Sequence, residues 1–270
     1  MKKLFSQAPL ILLVIFYNSI EFSAQTYIWG GPGDKNSEFA GGLNDWTVNA
    51  VSPNDSALWL WEADGKADKG KWWYGRDAIE SPSVSNGAAV FDSDYYDTGG
   101  TNGNHGDGPA PCPQTSELIS PTFSCIGHES VWIRFNQYYR TWNSVTKIAV
   151  SIDNGESWIW EKILNEDISL NNSTERNSVK QINISNIAKN QAEVKIKFIW
   201  EGVYYFWILD DVYVMSNPPA DPQIVGTWYP PDRFDTPKEI ITHDSMKFKM
   251  RVINQGSVDS KNVAGTISIV

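Results

Sequence analysis

Hydrophobic and polar residues alternate with a period of two in three segments in the middle of the chain. Successive side chains of an extended strand point to opposite faces, so this alternation predicts strands that bury one face. The positions expected on the buried faces are Val131, Ile133, Phe135 and Tyr139; Ile148, Val150 and Ile152; and Val194, Ile196, Phe198 and Trp200. Turn-rich segments separate the strands, and no amphipathic helical pattern lasts for three turns. The pattern predicts an all-β chain that forms a sandwich of two sheets.

One predicted strand, "YYFWILDDVYV", places two carboxylates side by side in an otherwise apolar run. Strict alternation would put Asp210 on one face of the strand and Asp211 on the other, and neither face is polar. An ionised carboxylate that is buried without a partner costs several kcal/mol, so the pair needs donors, a cation or water. Backbone amides at a strand end and a bound cation both meet this requirement, and the sequence leaves the choice open.

The N-terminus has the pattern of a secretion signal. Lys2 and Lys3 precede an apolar block, and small residues follow it at Ser23 and Ala24. The block is shorter than the roughly 20 apolar residues that span a bilayer. We therefore predict a signal peptide at residues 1–24 and an exported protein that is secreted or on the cell surface, the alternative being an uncleaved membrane anchor.

Charge and cysteine content narrow the classes of partner. The formal net charge of −10 argues against nucleic acid or anionic lipid, because both require clustered lysines and arginines. It is compatible with divalent cations and also with a soluble exported protein that carries surplus acid. The two cysteines of an exported chain predict a disulfide between Cys112 and Cys125.

A change in composition at "SNPPADPQ" marks the expected domain boundary. We predict a first domain at residues 25–216, a linker at 217–223, and at 224–270 the N-terminal part of an Ig-like β-sandwich. About 50 residues are too few for an Ig-like domain of about 100, so we expect the sequence to be the first part of a longer protein.

Five segments occur in an order that resembles a known family: "SEFAGGLNDWTV", "NGAAVFDSD", "TSELISPTFSCIGHESVWIRFNQYY", "VSIDNGESW" and "FWILDDVYV". They are similar to the MAM-like jelly-roll modules of bacterial secreted surface proteins, of the cleaved-adhesin or choice-of-anchor type. The resemblance covers about residues 27–215. It implies a jelly-roll sandwich of two antiparallel sheets that serves adhesion, glycan or protein binding, or spacing beside a catalytic domain. The tail resembles the Ig-like domains that follow such modules, and export by type IX secretion would fit this family.

The resemblance also implies a structural calcium ion where the first strand, a middle loop and the last strand meet. The matching residues are Glu38, Asp92, Asp94, Asp210 and Asp211. Calcium takes six to eight oxygen ligands, which carboxylates from distant strands can supply. The alternative is that backbone amides satisfy Asp210 and Asp211 and that no metal is bound.

Aromatic residues offer a candidate ligand surface. The chain contains 13 tryptophans, most of which are expected in the core. Trp72, Trp73 and Tyr74 are the best candidates for a sugar-stacking platform, because consecutive residues cannot all face inward. The sequence contains no nucleophile elbow, zinc-protease helix or phosphate loop. We predict a non-catalytic adhesion or interaction module that binds a glycan or protein at a cell surface. The alternative is a carbohydrate-binding module that targets a peptidase or glycoside hydrolase located beyond residue 270.

Overall fold

The structure is a computed structural model that describes residues 26–51, 56–72, 77–216, 222–228 and 249–254. Within these ranges nine strands form one continuous sheet and two more form a separate pair. The strands are β1 (Thr26–Trp29), β2 (Thr47–Val51), β3 (Leu60–Glu62), β4 (Ala88–Asp92), β5 (Gln114–Ile119), β6 (Trp132–Ser151), β7 (Trp160–Leu164), β8 (Ser178–Asn183), β9 (Lys195–Ser216), β10 (Pro222–Trp228) and β11 (Lys249–Asn254). Two short helices, α1 (Ser93–Thr98) and α2 (Ser185–Ala188), and a 3-10 turn at Val84–Asn86 complete the regular elements of these ranges. The all-β prediction is confirmed.

The long strands β6 and β9 pair antiparallel along almost their entire length and connect two halves of the fold. At one end β8 flanks β6 while β4 and β1 flank β9, and β3 extends β4. We call this half the upper sheet. At the other end β7 flanks β6 while β5 flanks β9, and β2 extends β5 to complete the lower sheet. The continuous sheet thus curls into the predicted jelly-roll β-sandwich.

β9 leaves the lower sheet near Gly202, its last residue paired with β5. Gly202 has a φ of +129°, and a Cβ atom there would lie 2.4 Å from the carbonyl oxygen of Asn143 on β6. The two backbones therefore approach too closely for a side chain at this point. A glycine is required where the strand passes from one sheet to the other.

The inner faces of the two sheets form one hydrophobic core. Phe135 of the upper sheet meets Phe198 of the lower sheet at a ring-centroid distance of 5.0 Å, and Trp207 lies 5.7 Å from Phe198. Every residue predicted on a buried face belongs to this core except Ile152, which is half-buried. The period-two predictions for these strands are confirmed.

The outer face of the upper sheet is covered by the chain that connects β3 with β4. A second apolar cluster forms there, in which Ile79 packs with Tyr138, Phe206 and Ile208. This covering segment lies over β9 and brings polar residues that are distant in sequence next to Asp210.

β9 contains a bulge at its two aspartates, so the predicted strict alternation is wrong there. Trp207 and Leu209 point into the core. Val212 and Val214 also point into the core, although strict alternation would turn them to the other face. The pairing with β6 shifts by one residue across this stretch, and Asp211 has a φ of +50°. The extra residue of a bulge reverses the facing of the side chains that follow it.

The strands β10 and β11 form a separate antiparallel pair. β10 begins at Pro222, inside the predicted linker at 217–223. The rest of the expected Ig-like domain at 224–270 and the predicted signal peptide lie mostly or entirely outside the described residues. In the described part of the chain, no helix has the length and apolar character needed to cross a membrane.

Candidate functional site

Hydroxyl groups and a backbone amide donate hydrogen bonds to three of the four carboxylate oxygens of the aspartate pair in β9, whereas Oδ2 of Asp211 has no partner among the described residues. Oδ2 of Asp210 accepts hydrogen bonds from Ser81 (2.5 Å) and Ser83 (3.0 Å), and Oδ1 accepts from the N–H of Asp211 (2.9 Å). Oδ1 of Asp211 accepts from Ser83 (2.9 Å) and Tyr213 (2.6 Å). Both aspartates are fully buried. We call these five residues the aspartate cage, which fastens the covering segment to β9.

Burial changes the proton affinity of the cage. Burial raises the pKa of Asp210 to about 7, and the neighbouring carboxylate of Asp211 contributes, while the serine hydroxyls act in the opposite direction. Burial and the hydrogen bond to Asp211 raise the pKa of Tyr213 above its usual value. The cage therefore favours a proton on Asp210 near neutral pH, because one negative charge is easier to bury than two.

The five predicted calcium ligands fall into two groups. Glu38 lies near Tyr213 of the cage, whereas Asp92 pairs with Phe206, four positions before Asp210 along β9. At about 3.3 Å per residue, four positions correspond to about 13 Å. The described residues contain no group of three or more His, Cys, Asp or Glu side chains that could hold a metal ion. One ion shared by Glu38, Asp92, Asp94, Asp210 and Asp211 does not fit this arrangement, and calcium binding at fewer of them stays a prediction.

Asp92 and Asp94 instead position the loop that carries Trp72. Oδ2 of Asp92 accepts from the backbone N–H groups of Lys69 (3.2 Å) and Gly70 (3.1 Å), and Oδ2 of Asp94 accepts from that of Trp72 (2.6 Å). A Cβ atom at Gly70 would lie 2.4 Å from Oδ2 of Asp94, so the loop approaches too closely for a side chain. Burial raises the pKa of Asp92 to about 7.

The glycine-rich loop at 97–111 is tied down by one carboxylate. The buried Asp97 accepts from the N–H of Gly106 (3.2 Å) and the N–H of Cys112 (2.8 Å). Its Oδ2 also accepts a hydrogen bond of 2.6 Å from the hydroxyl of Tyr204, at the point where β9 changes sheets. Asp97 therefore fixes the loop against the sheet without requiring an ion.

An aromatic pair lies where these two loops meet. The ring of His105 stacks on that of Trp72 with a centroid distance of 4.5 Å and an interplanar angle of 23°. Nδ1 of His105 lies 2.9 Å from the hydroxyl of Tyr204, which also bonds Asp97. His105 is exposed and Trp72 is half-buried. We call Trp72, Asp97, His105 and Tyr204 the Trp72 site.

The other two residues of the predicted aromatic platform, Trp73 and Tyr74, lie outside the described residues. Trp59, Trp200 and Trp207 are buried in the core, as expected for most tryptophans. The structure thus describes Trp72 of the three predicted platform residues, and the ring of Trp72 contacts the glycine-rich loop.

The structure does not support the predicted disulfide, because it contains both cysteines as free thiols. Sγ of Cys112 lies 3.7 Å from the hydroxyl of Ser93, whereas Cys125 is buried in the core. Burial raises the pKa of each thiol to about 12.

Sequence reasoning missed the residues that complete both sites. Ser81 and Ser83 are separated from their aspartate partners by more than 120 positions, and Tyr204 is 107 positions from Asp97. His105 stands alone in the sequence. No short-range pattern connects these residues, although buried aspartates in an apolar strand do indicate that distant hydroxyls or amides must exist.

No family model and no curated protein matches the sequence. Among solved structures, the chain is similar to the K3 cleaved adhesin domain of Lys-gingipain from Porphyromonas gingivalis, with 16% identity, coverage of 67% of this chain and 97% of that chain, and a TM-score of 0.42. It is also similar to a carbohydrate-binding module from Caldicellulosiruptor saccharolyticus in complex with mannohexaose, with 12% identity, coverage of 72% of this chain and 97% of that chain, and a TM-score of 0.38. A cyclase from Fischerella sp. TAU is similar as well, with 10% identity, coverage of 71% of this chain and 97% of that chain, and a TM-score of 0.42. None of the three assigns a ligand or an activity to this chain.

Proposed function

We propose that the protein is a non-catalytic binding module that holds a glycan at the Trp72 site and acts outside the cell or on its surface. The observation that supports this proposal is the stacked pair of Trp72 and His105 beside the Asp97–Tyr204 hydrogen bond. Flat rings pack on the apolar faces of sugars, and the hydrogen bond to the buried Asp97 fixes the Tyr204 hydroxyl beside the two rings.

The site is held rigidly, which favours recognition of a ligand. Asp94 fixes the backbone of Trp72, and Asp97 fixes the loop of His105. Side chains that are already ordered lose little conformational entropy when a ligand binds. A sugar that contacts the exposed His105 ring would therefore meet a preformed surface.

The buried state of the acid pairs supports a binding role over hydrolysis. Glycoside hydrolysis requires two carboxyl groups that reach the substrate from either side of the bond. Asp92 and Asp94 are 7% and 1% exposed, and Asp210 and Asp211 are fully buried. These acid pairs are committed to internal hydrogen bonds and not open to a polysaccharide.

A glycan array probed with the labelled full chain tests this function. We expect binding to a defined class of glycans that is lost in His105→Ala and kept in His128→Ala. His128 is a suitable control because its hydrogen bonds are made by its backbone. Equal array signals for wild type and His105→Ala, or no signal for wild type, would overturn the proposal.

A further inference from the structure

A second cavity lies outside the Trp72 site, next to the aspartate cage. It has a volume of about 360 Å³ and is lined by Tyr27, Glu38, Ser83, Arg134, Tyr213 and Met215, among others. The strands β1, β6 and β9 supply one side of it, since Met215 pairs with Tyr27 and Tyr213 with Arg134. Its volume falls within the range of small-molecule sites. We call it the Arg134 cleft.

Arg134 brings hydrogen-bond donors to this cleft, and no carboxylate in the described part of the chain pairs with them. Among the described residues, none of the ion pairs includes Arg134. Its guanidinium makes one long hydrogen bond, 3.4 Å from Nη1 to the side chain of Asn136, and its Cζ lies 5.7 Å from the Tyr213 ring centroid. A guanidinium carries five N–H donors in a planar fork that fits a carboxylate. The cation of the cleft therefore has capacity for an anionic ligand.

The acids around the cleft already have partners of their own. Oε1 of Glu38 accepts from the N–H of Gly33 (2.6 Å), and Oε2 accepts from the side-chain amide of Asn86 (3.0 Å). Asp210 and Asp211 accept hydrogen bonds from the hydroxyl of Ser83, which lines the cleft. Each carboxylate oxygen has a second lone pair, so Glu38 can still accept a hydrogen bond from a hydroxyl group of a ligand.

The cleft also has an exposed aromatic wall that is held in place. Tyr27 is 50% exposed. Its ring packs edge to face against that of Tyr213, with 5.4 Å between the ring centroids. Gly31 packs against the Tyr27 ring, because a Cβ atom at this glycine would lie 3.0 Å from Cγ. A fixed ring beside a guanidinium and a carboxylate combines a stacking surface with charged and polar contacts.

We propose that the Arg134 cleft is a second ligand site that binds a hexuronate, a sugar ring that carries a carboxylate. Arg134 pairs with the carboxylate of the sugar, Glu38 and Ser83 bind its hydroxyl groups, and Tyr27 packs against its ring. A hexuronate is favoured over a peptide carboxylate because the cleft provides acceptors for hydroxyl groups and an exposed flat ring as well as a cation.

The test is calorimetric titration of the full chain with three small probes: sodium glucuronate, methyl glucoside and N-acetylalanine. We expect glucuronate to bind at least tenfold more tightly than either of the others. Arg134→Gln should weaken glucuronate binding at least tenfold and Tyr27→Ala several-fold. Arg140→Gln should have no effect, because Arg140 lies on the same strand but packs over Tyr205, away from the cleft. His105→Ala should also have no effect, which separates this site from the Trp72 site.

Thermal unfolding of each variant identifies any loss of folding. Tyr27 lies at the cleft mouth, so Tyr27→Ala provides a test even if Arg134→Gln does not fold. Equal affinities for glucuronate and methyl glucoside, or unchanged binding in both variants, would overturn the proposal. Equal affinities for glucuronate and N-acetylalanine would also overturn it, in favour of a peptide carboxylate as ligand.

Discussion

The hydroxyl of Ser81 donates a hydrogen bond of 2.5 Å to Oδ2 of Asp210, a residue 129 positions later in the chain. This contact fastens the segment between β3 and β4 onto the bulge in β9. It lies beside the Arg134 cleft, which Ser83 lines, and the same segment contains the loop that carries Trp72. The aspartates of β9 thus have a structural role that explains why an apolar strand contains them.

The proton on Asp210 makes the stability of the protein depend on pH. Burial raises the pKa of Asp210 from 3.8 to about 7, so the folded state holds a proton that the unfolded state releases between these values. The contribution of this group to the free energy of unfolding is therefore full below about pH 4 and is lost as the pH rises through about 7. The side chain introduced by Asp210→Asn does not titrate, so the variant does not lose this contribution as the pH rises. The free energy of unfolding of the variant, relative to that of wild type, should therefore rise by up to a few kcal/mol from pH 4 to pH 8.

Urea unfolding of wild type and Asp210→Asn at several pH values measures this difference. Asp107→Asn is the control, because Asp107 is exposed. A stability difference between wild type and Asp210→Asn that stays constant from pH 4 to pH 8 would contradict the role assigned to this proton.

Ser83 contacts both carboxylates of the cage with one hydroxyl, so its removal leaves the two buried carboxylates with one donor fewer between them. We expect Ser83→Ala to lower the free energy of unfolding by about 1–3 kcal/mol. Ser85→Ala, in the same turn but exposed, should change it by less than about 0.5 kcal/mol. Denaturant unfolding measures both variants, and equal effects would show that the cage does not depend on Ser83.

A side chain at Gly70 should disturb the Trp72 site specifically. A Cβ atom there would lie 2.4 Å from Oδ2 of Asp94, so Gly70→Ala must move the loop that Asp94 holds. We expect lower stability and at least tenfold weaker glycan binding. Gly42→Ala is the control, because its Cβ atom would make contacts of no less than 3.7 Å. Wild-type affinity in Gly70→Ala would show that the position of this loop does not matter for binding.

Both cysteines should titrate as thiols. Under non-reducing conditions, a thiol reagent should modify two groups per chain in denaturant. In the native protein Cys125 should react very slowly, because it is buried and burial raises its pKa to about 12. A thiol count of zero in denaturant would restore the disulfide between Cys112 and Cys125.

The sequence predicts most of the sandwich but little of the sites. The inward residues of β6, such as Ile133 and Phe135, follow from alternation because a strand with one buried face requires it. The bulge at Asp211 breaks this alternation, and no local pattern in "WILDDVYV" distinguishes a bulge from a regular strand. Partners such as Tyr204 for Asp97 are brought together by the curl of the whole sheet, which local periodicity does not specify.

The most direct measurement is the dissociation constant, by calorimetry, for the glycan that binds most strongly on the array. Trp72→Ala should weaken it at least tenfold, or about 1.4 kcal/mol, because the variant removes the ring that stacks on His105. Trp142→Ala is the matched control, since Trp142 is 42% exposed and outside the Trp72 site. Thermal unfolding would establish that both variants are folded. An unchanged dissociation constant in folded Trp72→Ala would contradict glycan binding at the Trp72 site.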